Sequence, residues 1–194
     1  REAHYWRVLL RHQVDGILAA PTSEHLATLV LAEAQRVPVV FTDRTLPGST
    51  ARYVVVDNQA STRAAVRHLI EAGHRRLGIL AGFQNRAVMH DRLVAFRQTL
   101  QEHAISLPDE WIFADGMSIE AGREGTQRIL SLPERPTALF ANNNQLALGA
   151  LLALEDLALA CPRDVALFGF DDPPWAAISN PPLSVVRQPV RRIG

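Results

Sequence analysis

A chain of 194 residues, 47% hydrophobic and 21% charged, has the composition of an ordinary globular protein and room for one moderate domain or two small lobes. Lys+Arg and Asp+Glu number 20 each, so the formal net charge is zero, which excludes the clustered basic footprint of a DNA-binding module; His74-Arg75-Arg76 and Arg191-Arg192 read as solvated turn and strand ends. The single cysteine, Cys161, forbids an internal disulfide and fits a reducing, cytoplasmic compartment, and no apolar run approaches the ~18 residues of a membrane span.

The elements alternate from the first residues onward. Ala3, Trp6, Leu9 and Leu10 recur at helical spacing over Arg1 to Gln13. Val14 to Ala20 reads as a buried strand broken by Pro21. Thr22-Ser23 then caps a helix whose inward face is Leu26, Leu29, Val30 and Ala34. A strand at Val37 to Phe41 ends on Thr42, Asp43 and Arg44, and a loop with Pro47 and Gly48 leads to a strand at Tyr53 to Val56. Asp57 or Asn58 caps the next helix, which buries Ala65, Val66, Leu69 and Ile70 and closes at Gly73.

Strand Leu77 to Ala81 is followed by Gly82, a polar loop and a helix to about His103 with Leu93, Phe96 and Leu100 inward. Trp111 to Ala114 reads as a strand and Ile119 to Leu132 as a helix. The apolar run Thr137 to Ala141 stops at three amides, Asn142, Asn143 and Asn144. A helix then carries Leu146, Gly149, Ala150, Ala153 and Leu154 until Cys161-Pro162. Val165 to Phe170 is a buried strand ending on Asp171 and Asp172. Strands alternating with helices imply an α/β fold with doubly wound parallel sheets, and ligands of such sheets bind at the carboxyl ends of the strands.

Three segments, FANNNQLALGAL, PRDVALFGFDD and NPPLSVVRQPV, resemble the effector-binding core of the lac/galactose repressor (LacI/GalR) family of bacterial transcription regulators. The resemblance extends back through VDGILAAP, VPVVFTDR, VVVDNQASTRAAVRHLIEAGHRRLGIL and RLVAF in the family's order, so it covers essentially the whole chain. It implies two type I periplasmic-binding-protein-like lobes with a ligand cleft between them. The first lobe would take residues 1–73 plus 185–194 and the second residues 74–184, with crossings near Gly73–His74 and Val185–Gln188. By the same resemblance the chain is a core trimmed at both ends. Its partners are a small-molecule effector, expected to be a sugar or sugar derivative, and operator DNA reached only through a helix-turn-helix domain outside this chain. A solute-binding protein of a sugar transporter shares the architecture and is the alternative reading.

Asp171 and Arg92 form the leading pair of site residues, because a carboxylate accepts from two vicinal hydroxyls and a guanidinium donates a planar fork. The family uses the matching aspartate and arginine on its effector; a structural ion pair between strand ends is the plain alternative. The resemblance assigns Asn143 to the ligand, which leaves Asn144 as the helix cap. Asp43 and Gln188 match family positions that contact effector, and either can instead hold the hinge. Phe83 and Met117 are candidates for the apolar wall a sugar needs, Trp175 for surface packing, and Arg86 for a second cation or a solvated loop charge. Leu148 and Ile178 are the candidates for a homodimer interface.

Catalysis finds no constellation in this sequence. Ser23, Ser61 and Ser106 lack a G-x-S-x-G setting, and the seven histidines are scattered without zinc-ligand spacing. Gly78, Gly82, Gly122 and Gly125 make neither a Walker loop nor G-x-G-x-x-G, so no enzyme activity, metal or cofactor is expected.

Overall fold

The computed structural model describes residues 2–21, 30, 32–33, 35–45 and 49–194, and the chain divides into two compact units. The first is Arg1–Val56 with Pro189–Gly194 and the second is Asp57–Gln188. Among the described residues no helix is long and apolar enough to cross a membrane.

The first unit holds helix α1 (Glu2–Arg11) and strands β1 (Ile17–Ala19), β2 (Val39–Thr42) and β3 (Arg52–Val54), in a parallel sheet of order β1-β2-β3. Trp6 and Leu10 of α1 and Ile17, Ala32 and Phe41 form its core, with the Phe41 ring 6.3 Å from Trp6 and stacked 5.9 Å from Tyr53. Leu18, inside the strand expected to be buried, is exposed, because β1 is an edge strand and Leu18 alternates away from Ile17. The expected cap Thr22-Ser23, the inward residues Leu26, Leu29 and Ala34, and the Pro47-Gly48 loop lie outside the described residues. Val30, also expected inward, is exposed, and Ala32 is the buried residue of that stretch.

The second unit is a five-stranded parallel sheet, order β5-β4-β6-β7-β8. Its strands are β4 (Leu77–Leu80), β5 (Ile112–Phe113), β6 (Ala138–Ala141), β7 (Ala166–Phe170) and β8 (Ser184–Val186). Four helices accompany them: α2 (Asn58–Glu71), α3 (Ala87–Glu102), α4 (Ile119–Leu130) and α5 (Asn144–Asp156). The three central strands are buried along their whole length, as apolar strands covered on both faces must be.

Their two-residue alternation sorts the core into two layers. Leu77, Ile79, Phe140 and Phe168 pack with Ala65, Val66 and Leu69 of α2 and Phe96 and Leu100 of α3. Leu80, Leu139 and Leu167 pack on the opposite face with Ile129, Leu146, Ala150 and Leu154. Register carries this across the sheet: Ile79 pairs with Phe140 and Phe140 with Phe168, whose rings stack at 6.3 Å.

The contacts divide the chain at other points than the resemblance implied. The division falls at Val56/Asp57 and not at Gly73/His74, because α2 buries its apolar face in the layer that holds Phe96 and Phe168. At the other end β8 pairs in parallel with β7, Phe170 opposite Val186, so residues 185–188 remain with the second unit and the division comes at Gln188/Pro189.

Helices α4 and α5 approach more closely than side chains permit elsewhere. A Cβ built on Gly149 would lie 2.1 Å from the Ile119 carbonyl oxygen and 2.7 Å from the Arg123 nitrogen, and one on Gly122 would lie 2.5 Å from the Leu146 carbonyl oxygen. Gly149 thus marks a helix–helix contact, not the approach to the sheet that its neighbours Ala150 and Ala153 suggest. Arg123 reinforces the pair from the solvent side with two hydrogen bonds to Asp156, at 2.5 and 2.6 Å. Asp156 is held below the ordinary carboxylate range, chiefly by those bonds.

Candidate functional site at the carboxyl edge of the second sheet

The loops after β4, β5, β6, β7 and β8 all emerge at one edge of the second unit's sheet, and they carry most of the polar residues expected at the site. Parallel strands force this convergence, because each must return through a helix before the next begins. The carboxyl ends therefore collect the short turns that precede each helix.

Asp171 follows directly on Phe170. Its backbone is left-handed, φ 76°, its N–H donates to the Val186 carbonyl at 3.0 Å, and its Oδ1 accepts from the Gln188 side-chain amide. A non-glycine residue is held at positive φ only where its surroundings over-determine it, at a cost of about 1–2 kcal/mol. Aspartate is among the residues that tolerate this conformation best. Asp172, next in the chain, pairs with Arg187 Nε at 2.5 Å.

Arg92 is buried. At 3% exposure it lies beneath the edge, with Nε donating to Asn58 Oδ1 at 2.9 Å and Nη1 to the Asn142 carbonyl at 2.5 Å. Its guanidinium carbon sits 3.3 Å over the centroid of the Phe170 ring. A cation taken out of water needs acceptors and an electron-rich face, and this one has both. Arg92 thus joins the start of α2 to the ends of β6 and β7.

The three amides divide their work differently from the sequence expectation. Asn143 is the cap of α5: its backbone is extended, φ −151° and ψ 171°, and its Oδ1 accepts from the Leu146 N–H at 2.7 Å. Its Nδ2 donates to the Met117 carbonyl at 3.2 Å. Asn144 already belongs to the helix, so it is not the cap. Asn142, for which no role was expected, is wholly buried and donates to the Ala81 and Met89 carbonyls at 2.7 and 3.2 Å.

Gln84 donates to the same Ala81 carbonyl at 3.3 Å and to that of Gly82 at 2.8 Å. The side-chain oxygens of Asn142 and Gln84 are both buried without a hydrogen-bond partner among the described residues.

Phe83 is 45% exposed in the loop after β4, and Met117 is half-buried in the loop after β5. A Cβ on Gly82, whose φ is +70°, would lie 3.2 Å from Met117 Cγ, so these two loops meet. Arg86 is exposed at the start of α3. Trp175 packs against the core layer of α4 and α5. Of the two candidate caps of α2, Asp57 takes the role, accepting from the Ala60 N–H at 2.8 Å, and leaves Asn58 to Arg92.

In the first unit, Asp43 repeats the backbone arrangement of Asp171. It follows β2, has φ 70°, and donates its N–H to the Val54 carbonyl at the end of the neighbouring β3, 3.2 Å away. Its carboxylate pairs with Arg44 at 3.1 Å.

This architecture has close counterparts. A family model described as a periplasmic binding protein-like domain matches residues 66–194. The HTH-type transcriptional repressor PurR of Shigella sonnei (strain Ss046) is 34% identical over 197 residues, covering all of this chain and 58% of that protein. PurR of Aliivibrio salmonicida (strain LFI1238) is 30% identical over 198 residues, with 100% of this chain and 59% of that one covered. The chain thus spans a little under three fifths of the curated relatives it matches. Among solved structures, a regulatory protein of LacI family from Chloroflexus aggregans is similar with TM-score 0.90 and 33% identity, over 98% of this chain and 69% of that one. A sugar-binding transcriptional regulator (LacI family) from Escherichia coli, complexed with phosphate, gives TM-score 0.88 and 28% identity, over 99% and 69%.

Proposed function

The chain belongs to the LacI family, as its periplasmic binding protein-like domain, and from that premise we propose that it senses a sugar or sugar derivative and relays the binding to operator DNA. The observation that carries the ligand class is Asp171. Its carboxylate stands half-exposed at the carboxyl edge of the sheet on a strained backbone. Vicinal hydroxyls supply the donors that such a carboxylate accepts. Phe83 and Met117 offer an apolar wall for the C–H face of a ring. Asn143 and Gln188 complete the set from this unit, Arg92 braces it from beneath, and Arg86 is suited to an anionic substituent.

The relay needs two arrangements of the protein that the ligand binds with different affinity. DNA recognition falls to a separate helix-turn-helix module: the similar PurR proteins are HTH-type repressors longer than this chain, and this chain has no net charge. A thermal-shift screen of sugars, sugar phosphates and nucleosides tests the reading. A ligand present at 100 times its dissociation constant stabilises by about 2.7 kcal/mol, which raises the melting temperature of a chain this size by roughly 5–10 °C. If no compound of these classes moves the transition, the ligand class is wrong.

The same reading makes the protein a homodimer. Leu148 is half-buried on α5, Leu152 is 37% exposed and Ile178 is 82% exposed, so an apolar surface remains after the core is filled. A two-fold interface built on Leu148 and Ile178 matches a palindromic operator. Sedimentation of the protein carrying its DNA-binding module will show a dimer at micromolar concentration, and Leu148→Ala will shift it toward monomer. A monomer unaffected by that change refutes the interface.

A further inference from the structure

The chain leaves the second unit at Gln188, and the last three residues before that point are fastened to the turn at Asp171-Asp172. The Asp171 N–H holds the Val186 carbonyl at 3.0 Å, Asp172 holds Arg187 at 2.5 Å, and Asp171 Oδ1 holds the Gln188 side-chain amide. The first unit ends similarly. Asp43 pins the end of β3, the strand that precedes the unit's end at Val56, through its own N–H at positive φ. In each unit, the residue that pins the outgoing strand is therefore an aspartate ending the strand beside it.

We propose that the Asp171 carboxylate is a clasp on the outgoing segment: Oδ1 is held by Gln188 in the unliganded protein, and a ligand group that takes this oxygen releases Gln188 and frees the segment. Binding and the conformation of the connection to Pro189 then form one equilibrium, with the bond that recognises the ligand exchanged for the bond that fixes the connection. The chemistry favours competition. Among the described residues Asp171 Oδ1 has one hydrogen-bond donor, a neutral amide, and a ligand hydroxyl is a donor of the same kind. The second contact, Arg187 with Asp172, has its arginine largely exposed and contributes little. Release by a ligand rests on the reading of Asp171 given above; the clasp itself does not.

Trypsin cleavage after Arg187 in the intact protein, followed by mass spectrometry, measures how often the segment opens. Gln188→Ala removes the amide. Asp171→Gly removes the carboxylate while keeping the positive φ and the N–H that holds Val186, so it stands in for an oxygen wholly claimed. Each will raise the cleavage rate about tenfold, the loss expected of one hydrogen bond to a charged group. The double variant will cleave no faster than either single one, because both remove the same bond. Asp172→Asn, the control, will change the rate less than about threefold. Equal cleavage of the wild type and Gln188→Ala would overturn the clasp, as would rates that multiply in the double variant. A silent ligand screen together with these cleavage rates would reject the sugar reading and leave the clasp standing.

Discussion

Gly149→Ala will lower the melting temperature by roughly 4–8 °C, the equivalent of a net ~2 kcal/mol in a chain of this size. The new methyl carbon would stand 2.1 Å from the Ile119 carbonyl oxygen and within 3 Å of the Arg123 nitrogen and the Gly122 carbonyl carbon. All three are backbone atoms of α4, so no rotamer change relieves the clash and the two helices must separate. Separation loosens the layer formed by Ile129, Leu146, Ala150 and Leu154, and it lengthens the Arg123–Asp156 hydrogen bonds that join the helices. Against this stands the gain of about 1 kcal/mol that alanine brings over glycine inside a helix. The two effects have opposite signs, so calorimetry decides cleanly. A melting temperature that stays or rises would mean α4 and α5 lie farther apart than described.

Asp171→Asn will weaken binding of the effector found by the screen tenfold or more while leaving the apo melting temperature within a few degrees. The charge lost is the acceptor partner of the ligand's hydroxyls, and hydrogen bonds to charged groups contribute about 1.5–3 kcal/mol each, with ~1.4 kcal/mol per decade of affinity. Asparagine tolerates the left-handed backbone of this position, keeps the N–H that holds Val186, and retains an oxygen able to accept from Gln188. Isothermal titration of the wild type and the variant gives the ratio directly. Normal affinity in the variant would place the effector elsewhere, and loss of the folded state would make Asp171 a structural residue.

Arg92 shows how far the sequence reaches into the site. Its type and its place near the start of α3 nominate it as a ligand contact, yet its guanidinium is buried over Phe170 and bound to Asn58 and Asn142. The partners lie 34 and 50 residues away in sequence, so no local pattern announces them. The asparagine triplet fails for a different reason. Capping depends on which residue first adopts helical backbone angles, a shift of a single position that three identical side chains cannot reveal.

What the sequence determined by itself is what depends on short-range periodicity. Two-residue alternation in β4, β6 and β7 dictates two core layers, helical spacing dictates the covering faces of α2, α3, α4 and α5, and polar residues after each buried strand mark the candidate edge. Only the tertiary structure decided where the units divide, which asparagine caps α5, which helix Gly149 touches and which residue holds Asp171. Apart from the cap, each of these is a contact between segments distant along the chain. Whether α2 joins one sheet or the other depends on the layer that Ala65, Val66 and Leu69 find to bury in, and the local pattern is the same for either.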